Sequence, residues 1–390
     1  MHLLRALAAS TALLSCTALA GCGTNGGDAA NGGLRVAMVT DVGGLGDKSF
    51  NDSAYAGLQL AKSKLGADVQ VLQSKSAADY QPNLTVLADQ DFDEVFAIGF
   101  LMNKDLEAVA KNYPRRHFAI VDAVNSQPNV SSVTFREQDG SFLAGALAAM
   151  MSKTKTIAFL GGVDIPLLRK FEAGYTAGAR EVDPSVKVLV KYVGSFEDVA
   201  SGKELAGVLY DGGADIVYVA AGKSGLGAIQ ETRSRSNVYA IGVDSDQDAL
   251  APGKILTSVL KRVDVAVFKI VQEAHAQKLP AGPVEFGLKD DGVGLTDFRY
   301  TRRAIGEAKI ARLARLRAAI VAGRIVPPST REALAAFKPV PIDEPPGALL
   351  RASAFEKRTA RNARCHGNCE EDDRQANDGE GRCGEEDCSR

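Results

Sequence analysis

Residues 34–57 read LRVAMVTDVGGLGDKSFNDSAYAG. An apolar run through Val36, Met38 and Val39 gives way to Asp41 and to Gly43, Gly44 and Gly46, and a helical pattern begins after Asp47. On that helix Phe50, Ala54, Leu58, Ala61 and Leu65 recur at the spacing of one buried face. The order is strand, glycine turn, helix. In an open α/β sheet the turn after the first strand sits at the carboxyl edge, where such sheets place their ligands. Asp41, Asp47, Ser49, Phe50 and Asn51 are therefore expected on one rim.

Outward from this stretch the same alternation continues. Strands are expected over 68–73, 94–99, 117–123 and 130–135, with helices over 50–65, 80–88 and 101–112. A βαβ series of this kind makes a parallel sheet covered by helices. The alanine-rich segment 142–151 suits a helix packed closely near a lobe junction. A second series follows, with strands over 156–160, 186–193, 216–221 and 238–243 and helices starting near Leu167, Lys203 and Leu226. Gly161-Gly162, Gly194 and Gly222 follow three of these strands, where a turn must let backbone approach a cleft. Beyond it we expect a strand over 255–260, an amphipathic helix over 263–275, extended structure over 282–298 and a helix over 305–321.

At 390 residues the chain exceeds what one core holds, since single cores stop growing at roughly 250 to 300 residues. The expected division is a first lobe of about 34–137 plus 263–300, and a second lobe of about 138–262. The prolines at 327, 328, 339, 341, 345 and 346 mark a linker, and from Phe355 the composition is charged and aromatic-poor. Residues 329–390 are accordingly read as linker and mostly disordered tail.

At the other end, Arg5 precedes an apolar, alanine-rich run that closes on Leu19-Ala20-Gly21-Cys22. This is the pattern of a secretory signal over 1–22 whose ending resembles a bacterial lipobox. Cys22 would be lipidated and become the mature N-terminus, with the glycine- and asparagine-rich 23–33 as a tether. The protein is then exported and lipid-anchored to the bacterial cell membrane. No later run approaches the roughly 20 apolar residues of a membrane helix. The formal net charge of −2 supplies no basic field for nucleic acid.

Catalytic and cofactor chemistry finds little support. The turn 43–49 falls short of G-x-x-x-x-G-K-[ST], because Asp47 stands between Gly46 and Lys48, where a carboxylate would repel phosphate. The four histidines lie in the signal, at a strand start, late in a helix and in the tail, and neither H-E-x-x-H nor G-x-S-x-G occurs. A carboxylate-only mechanism is the enzymatic alternative left open. Cys365, Cys369, Cys383 and Cys388 form C-x3-C and C-x4-C pairs that resemble zinc-ligand spacing, but their acidic, core-less context weakens that reading, and in an oxidising compartment disulfides would compete. We expect no catalytic residue, metal or cofactor.

Binding chemistry has more behind it. Asp41, Asp122 and Asp244 each fall at or just beyond the carboxyl end of an expected strand. An ionised carboxylate only accepts hydrogen bonds, which suits sugar hydroxyls or the N–H edge of a base, although aspartate also makes turns and caps. Phe50 and Phe171 open the first helices of the two lobes, and could either clamp a flat ligand or belong to the cores.

Residues 40–44 (TDVGG), 47–51 (DKSFN), 171–175 (FEAGY), 242–244 (GVD) and 258–261 (SVLK) resemble the basic membrane protein family, in the expected order from about Leu34 to Pro328. That family comprises lipid-anchored, purine-nucleoside-receptor-type substrate-binding proteins of ABC transporters. The resemblance implies an α/β, two-lobed periplasmic-binding-protein type I fold, each lobe a parallel sheet flanked by helices. It implies a monomeric receptor that holds a purine nucleoside between Phe50 and Phe171 and presents it to an ABC transporter permease. Asp41, Asn51 and Asp122 would address the base or line that end, Asp244 and Lys261 would take ribose hydroxyls, and Gly222 would allow close backbone approach. A sugar or other small-molecule receptor on the same fold, and an exported carboxylate-dependent nucleoside hydrolase, are the alternatives.

Overall fold

The computed structural model describes residues 33–342 apart from 279 and 281. The expected signal with Cys22, residues 23–32 of the tether, and residues 343–390 with Cys365, Cys369, Cys383 and Cys388 lie outside the described residues.

In chain order the elements are β1 (Arg35–Thr40), α1 (Phe50–Leu65), β2 (Asp68–Gln73), α2 (Tyr80–Ala88), β3 (Glu94–Ile98), α3 (Asn103–Asn112), β4 (Phe118–Val121) and β5 (Val130–Phe135). The second series is α4 (Glu137–Met151), β6 (Thr156–Gly161), α5 (Pro166–Val182), β7 (Lys187–Tyr192), α6 (Val199–Asp211), β8 (Ile216–Ala220), α7 (Ser224–Ser234), β9 (Tyr239–Asp244) and β10 (Ile255–Lys261). The chain ends through α8 (Val263–His275), β11 (Val284–Phe286), β12 (Val293–Leu295), α9 (Arg302–Ile305), α10 (Glu307–Val321) and α11 (Arg331–Ala336).

The strand order is β2-β1-β3-β4-β5-β11 in one sheet and β7-β6-β8-β9-β10-β12 in the other. Each sheet thus reverses direction beside its first strand, between β1 and β3 or between β6 and β8, and such a switch point opens a crevice at the carboxyl ends. Among the described residues all pairings are parallel except β12 on β10. The inner strands β3, β4 and β8 are buried along their whole length, and apart from Glu94 at the start of β3 their sequences run as continuous apolar stretches. Edge strands β2 and β7 are only half-buried and carry Asp68, Gln70 and Gln73, and Lys187 and Lys191, among their apolar residues.

Close helix packing fixes the second lobe. A Cβ at Gly145 of α4 would lie 1.8 Å from the Tyr175 carbonyl oxygen, and one at Gly178 of α5 would lie 1.8 Å from the Phe142 carbonyl oxygen. The two helices therefore touch backbone to backbone, the role the small residues of 142–151 suggested. Helix α4 starts earlier than expected, at Glu137, because Gln138, Asp139 and Ser141 are polar yet buried.

Two divisions differ from the expectation. Strand β12 pairs antiparallel with β10, so residues 293–295 belong to the second sheet, while α8 packs on α1 and β11 extends the first. The segment after Pro328 continues as folded structure rather than linker. Thr330 caps α11 by accepting from Ala333 N at 3.1 Å, and Arg331 grips the buried Glu172 at 2.7 and 3.0 Å. Leu334 is buried, Phe337 meets the edge of Phe142 at 6.0 Å, and Val340 N donates to Glu181 at 2.9 Å. Proline density overrode a short amphipathic pattern that only α4 and α5 complete. Helix α6 likewise starts at Val199 rather than Lys203, capped by Asp198, which accepts from Ser201 N at 2.9 Å.

Candidate functional site

The carboxyl edges of the two sheets face each other across a cavity of about 580 Å3 of empty space, partly open to solvent. Asp41, Phe50, Asn51 and Asp122 enter it from the first lobe, and Phe171, Gly222, Asp244 and Lys261 from the second. All eight residues named from the sequence thus line one cavity. Gly43, Asp47, Gly99, Phe100, Leu167, Leu168, Phe196, Ala220, Lys223 and Val243 complete the wall.

On the β1 side, Asp41 accepts from Gly43 N at 2.9 Å and from Asn51 Nδ2 at 2.8 Å, both through Oδ1. Asp47 accepts from the backbone N–H groups of Ser49, Asn51 and Asp52 at 2.9, 2.8 and 3.1 Å, which satisfies the free donors at the start of α1. Its Oδ2 also receives Asn51 Nδ2 at 3.1 Å. Burial pushes the Asp41 carboxyl up to about 6 against the pull of the Asn51 and Gly43 hydrogen bonds, and raises that of Asp47 as well.

Asp122 and Asp244 leave the ends of β4 and β9 with φ of 71° and 62°. Aspartate is among the few residues that adopt this left-handed geometry, so the turn chemistry and the cavity lining call for the same side chain. Lys261, 2 % exposed, donates to Asp122 Oδ2 at 2.6 Å and lies 3.2 Å from Glu137 Oε1. Its ammonium also sits 5.2, 5.1 and 5.7 Å from the ring centres of Phe50, Phe135 and Phe171. Burial alone would lower the lysine, but Asp122, Glu137 and Asp244 more than offset it and keep the group cationic. Asp244 accepts from Ser49 Oγ at 2.5 Å across the cleft. Burial raises it to about 6, against the opposing influence of Lys261 and Ser49. Ser245 Oγ donates to the Ser49 carbonyl at 3.0 Å and Gln247 Nε2 to the Lys48 carbonyl at 2.9 Å, so the loop after β9 closes on the start of α1.

A family model described as "ABC transporter substrate-binding protein PnrA-like", named Bmp, matches residues 34–330. The chain belongs to the Bmp family. It is thus a substrate-binding protein of an ABC transporter. A Bmp relative from Lactococcus lactis subsp. cremoris, named "ABC transporter nucleoside-binding protein BmpA", is 37 % identical over 76 % of this chain and 89 % of its own length. The "CD4+ T-cell-stimulating antigen" of Listeria monocytogenes is 38 % identical over 67 % of this chain and 80 % of its own. "Uncharacterized lipoprotein PYRAB04520" of Pyrococcus abyssi is 35 % identical over 71 % and 72 %. Among solved structures, an ABC transporter solute-binding protein from Aeropyrum pernix K1 superposes with a TM-score of 0.71 at 29 % identity, covering 78 % of this chain and 96 % of that one. The architecture is the periplasmic-binding-protein type I fold, two sheets of mostly parallel strands flanked by helices.

Within this Bmp cavity the sequence reading passed over one ring. Phe196, after β7, lies against Gly162, where a Cβ would come within 2.3 Å of the ring. It is half-buried, like Phe50, whereas Phe171 is only 4 % exposed. Gly194-Ser195-Phe196 carried the same strand-then-glycine signal as Asp41 to Gly44 and could have been read that way. Gly222 has φ of 54°, and a Cβ there would meet the Phe196 carbonyl oxygen at 3.3 Å, so the close approach it permits includes the chain's own loop. Lys261 pairs with Asp122 rather than standing alone beside Asp244, which joins two groups that the resemblance assigned to opposite ends of a ligand.

Proposed function

We propose that this chain is an exported, lipid-anchored receptor that captures a purine nucleoside in the cavity between its lobes and hands it to a membrane permease. The observation that carries this reading is the pairing of accessible aromatic faces with buried carboxylates in one cavity. A flat base needs apolar faces above and below, and ribose needs acceptors for its hydroxyls. The half-buried Phe50 and Phe196 offer their faces to the base, while the more buried Phe171 stands behind them and, with Phe50 and Phe135, beside the Lys261 ammonium. Asp41, Asn51 and Asp122 address the base edge, and Asp244 takes ribose hydroxyls in exchange for Ser49. The name of the Lactococcus lactis relative, a nucleoside-binding protein, supports the ligand class. The Leu19 to Cys22 ending and the lipoprotein name of the Pyrococcus abyssi relative support the anchor.

The test is mass spectrometry of ligand carried through native purification, followed by titration of the emptied protein with inosine. The reading expects a bound purine nucleoside and recovery of the added inosine intact. Conversion of inosine to base and ribose would instead make the protein a hydrolase. Cys22→Ala should move the protein from the detergent phase to the aqueous phase, and unchanged partitioning would remove the anchor.

A further inference from the structure

We infer that the β1 side of the cavity is a wall of hydrogen-bond acceptors, set by Asp47, and that it selects guanosine over adenosine. The inference rests on the nucleoside reading above. Its core is the orientation of one amide. Asn51 Nδ2 lies 2.8 Å from Asp41 Oδ1 and 3.1 Å from Asp47 Oδ2. Carboxylates accept hydrogen bonds, so only the NH2 end of the amide fits between them, and the flipped amide would set oxygen against two oxygens. Asn51 Oδ1 is thereby turned away from both acids, and it is buried without a partner among the described residues. Asp122 Oδ1 is likewise buried and unpartnered among them, its other oxygen being held by Lys261. Asp41 spends both of its hydrogen bonds on Oδ1.

A buried acceptor without a donor is costly, and a ligand that supplies donors recovers that cost. The base edge that meets this wall must therefore present N–H groups. The guanine edge carries N1–H beside an exocyclic NH2, hypoxanthine keeps only N1–H, and adenine offers one exocyclic NH2 flanked by ring nitrogens that are themselves acceptors. Asp47 is a positioning residue in this scheme. It accepts from Asn51 through both the backbone N–H and Nδ2, so replacing its Oδ2 by NH2 sets donor against donor and leaves Asp41 alone to orient the amide.

The experiment is calorimetric titration of the full chain with guanosine, inosine, adenosine and 1-methylguanosine. Each lost donor should weaken binding roughly tenfold to a hundredfold. Guanosine should bind at least tenfold more tightly than inosine, adenosine or 1-methylguanosine. Adenosine or 1-methylguanosine within threefold of guanosine overturns the inference and leaves the nucleoside reading standing, whereas no binding by any of the four overturns both. In Asp47→Asn the guanosine-to-adenosine ratio should collapse by at least tenfold, a readout that a merely structural role does not move. Equal weakening of both nucleosides in that variant would reduce Asp47 to a helix cap. Should the variant fail to fold, the four-ligand series on the native chain still decides the acceptor wall.

Discussion

Raising the pH of the ligand-free protein from 4 to 7 is expected to destabilise it through Asp41 and Asp244. Burial lifts each carboxyl from 3.8 to about 6 in the folded chain, whereas unfolding returns both to water. Between those two values the folded state holds more protons than the unfolded state. Stability therefore falls as pH rises through the window and stays reduced above about 6. At roughly 1.4 kcal/mol per pH unit, the lift corresponds to about 3 kcal/mol for each carboxylate. The assay is thermal and urea unfolding from pH 4 to 8 for the native chain, Asp41→Asn and Asp244→Asn. Asparagine is preferred to alanine because Asp244 sits at φ of 62° and alanine would add backbone strain. The difference between variant and native chain cancels titrating groups that do not interact with the replaced carboxyl, and it should move in each variant's favour by roughly 2 to 3 kcal/mol from pH 4 to 7. A difference that does not change with pH refutes the reasoning, because neither carboxylate then holds an uncompensated buried charge. Nucleoside affinity should show the opposite slope, since donors on the ligand need the ionised form, and it should weaken as pH falls below about 6.

The rings should separate by role: Phe50→Ala and Phe196→Ala should weaken nucleoside binding severalfold or more in titration, the loss of a stacking partner being roughly 0.5 to 1.5 kcal/mol beyond its area. Phe171→Ala should act chiefly on stability, by about 3 to 5 kcal/mol in urea unfolding, as for a buried core ring. Gly178→Ala should lower the melting temperature sharply, because its methyl group would stand 1.8 Å from the Phe142 carbonyl oxygen, and a normal melting curve would show that α4 and α5 can part without cost. Truncation after Ser329 should destabilise the protein by removing Leu334, Phe337 and the Arg331 grip on Glu172, whereas truncation after Ile342 should leave its melting temperature nearly unchanged. Glu94→Met should stabilise it at neutral pH by calorimetry, since both Glu94 carboxyl oxygens are buried without a partner among the described residues and burial raises that group well above the usual range.

Local chemistry made much of this protein legible from its sequence. Strand and helix periods are written in residue spacing, so α1, β2, α2, β5 and α8 fall on the residues that the pattern marks. The carboxyl-edge rule then follows from chain direction, and it brought Asp41, Asp122 and Asp244 to one cavity without any coordinates. Pairing across the cleft is another matter, because it depends on how two lobes meet rather than on neighbours in the chain. Only the tertiary structure decided that Lys261 holds Asp122, that Ser49 holds Asp244, and that Phe196 rather than the more buried Phe171 keeps an accessible ring. The same reason explains α11. The prolines that flank it describe local breaks, while the helix exists because α4 and α5 offer Phe142, Glu172 and Glu181 as partners from far along the chain. Sequence spacing reports what a residue does to its own segment, and burial reports what distant segments do to it.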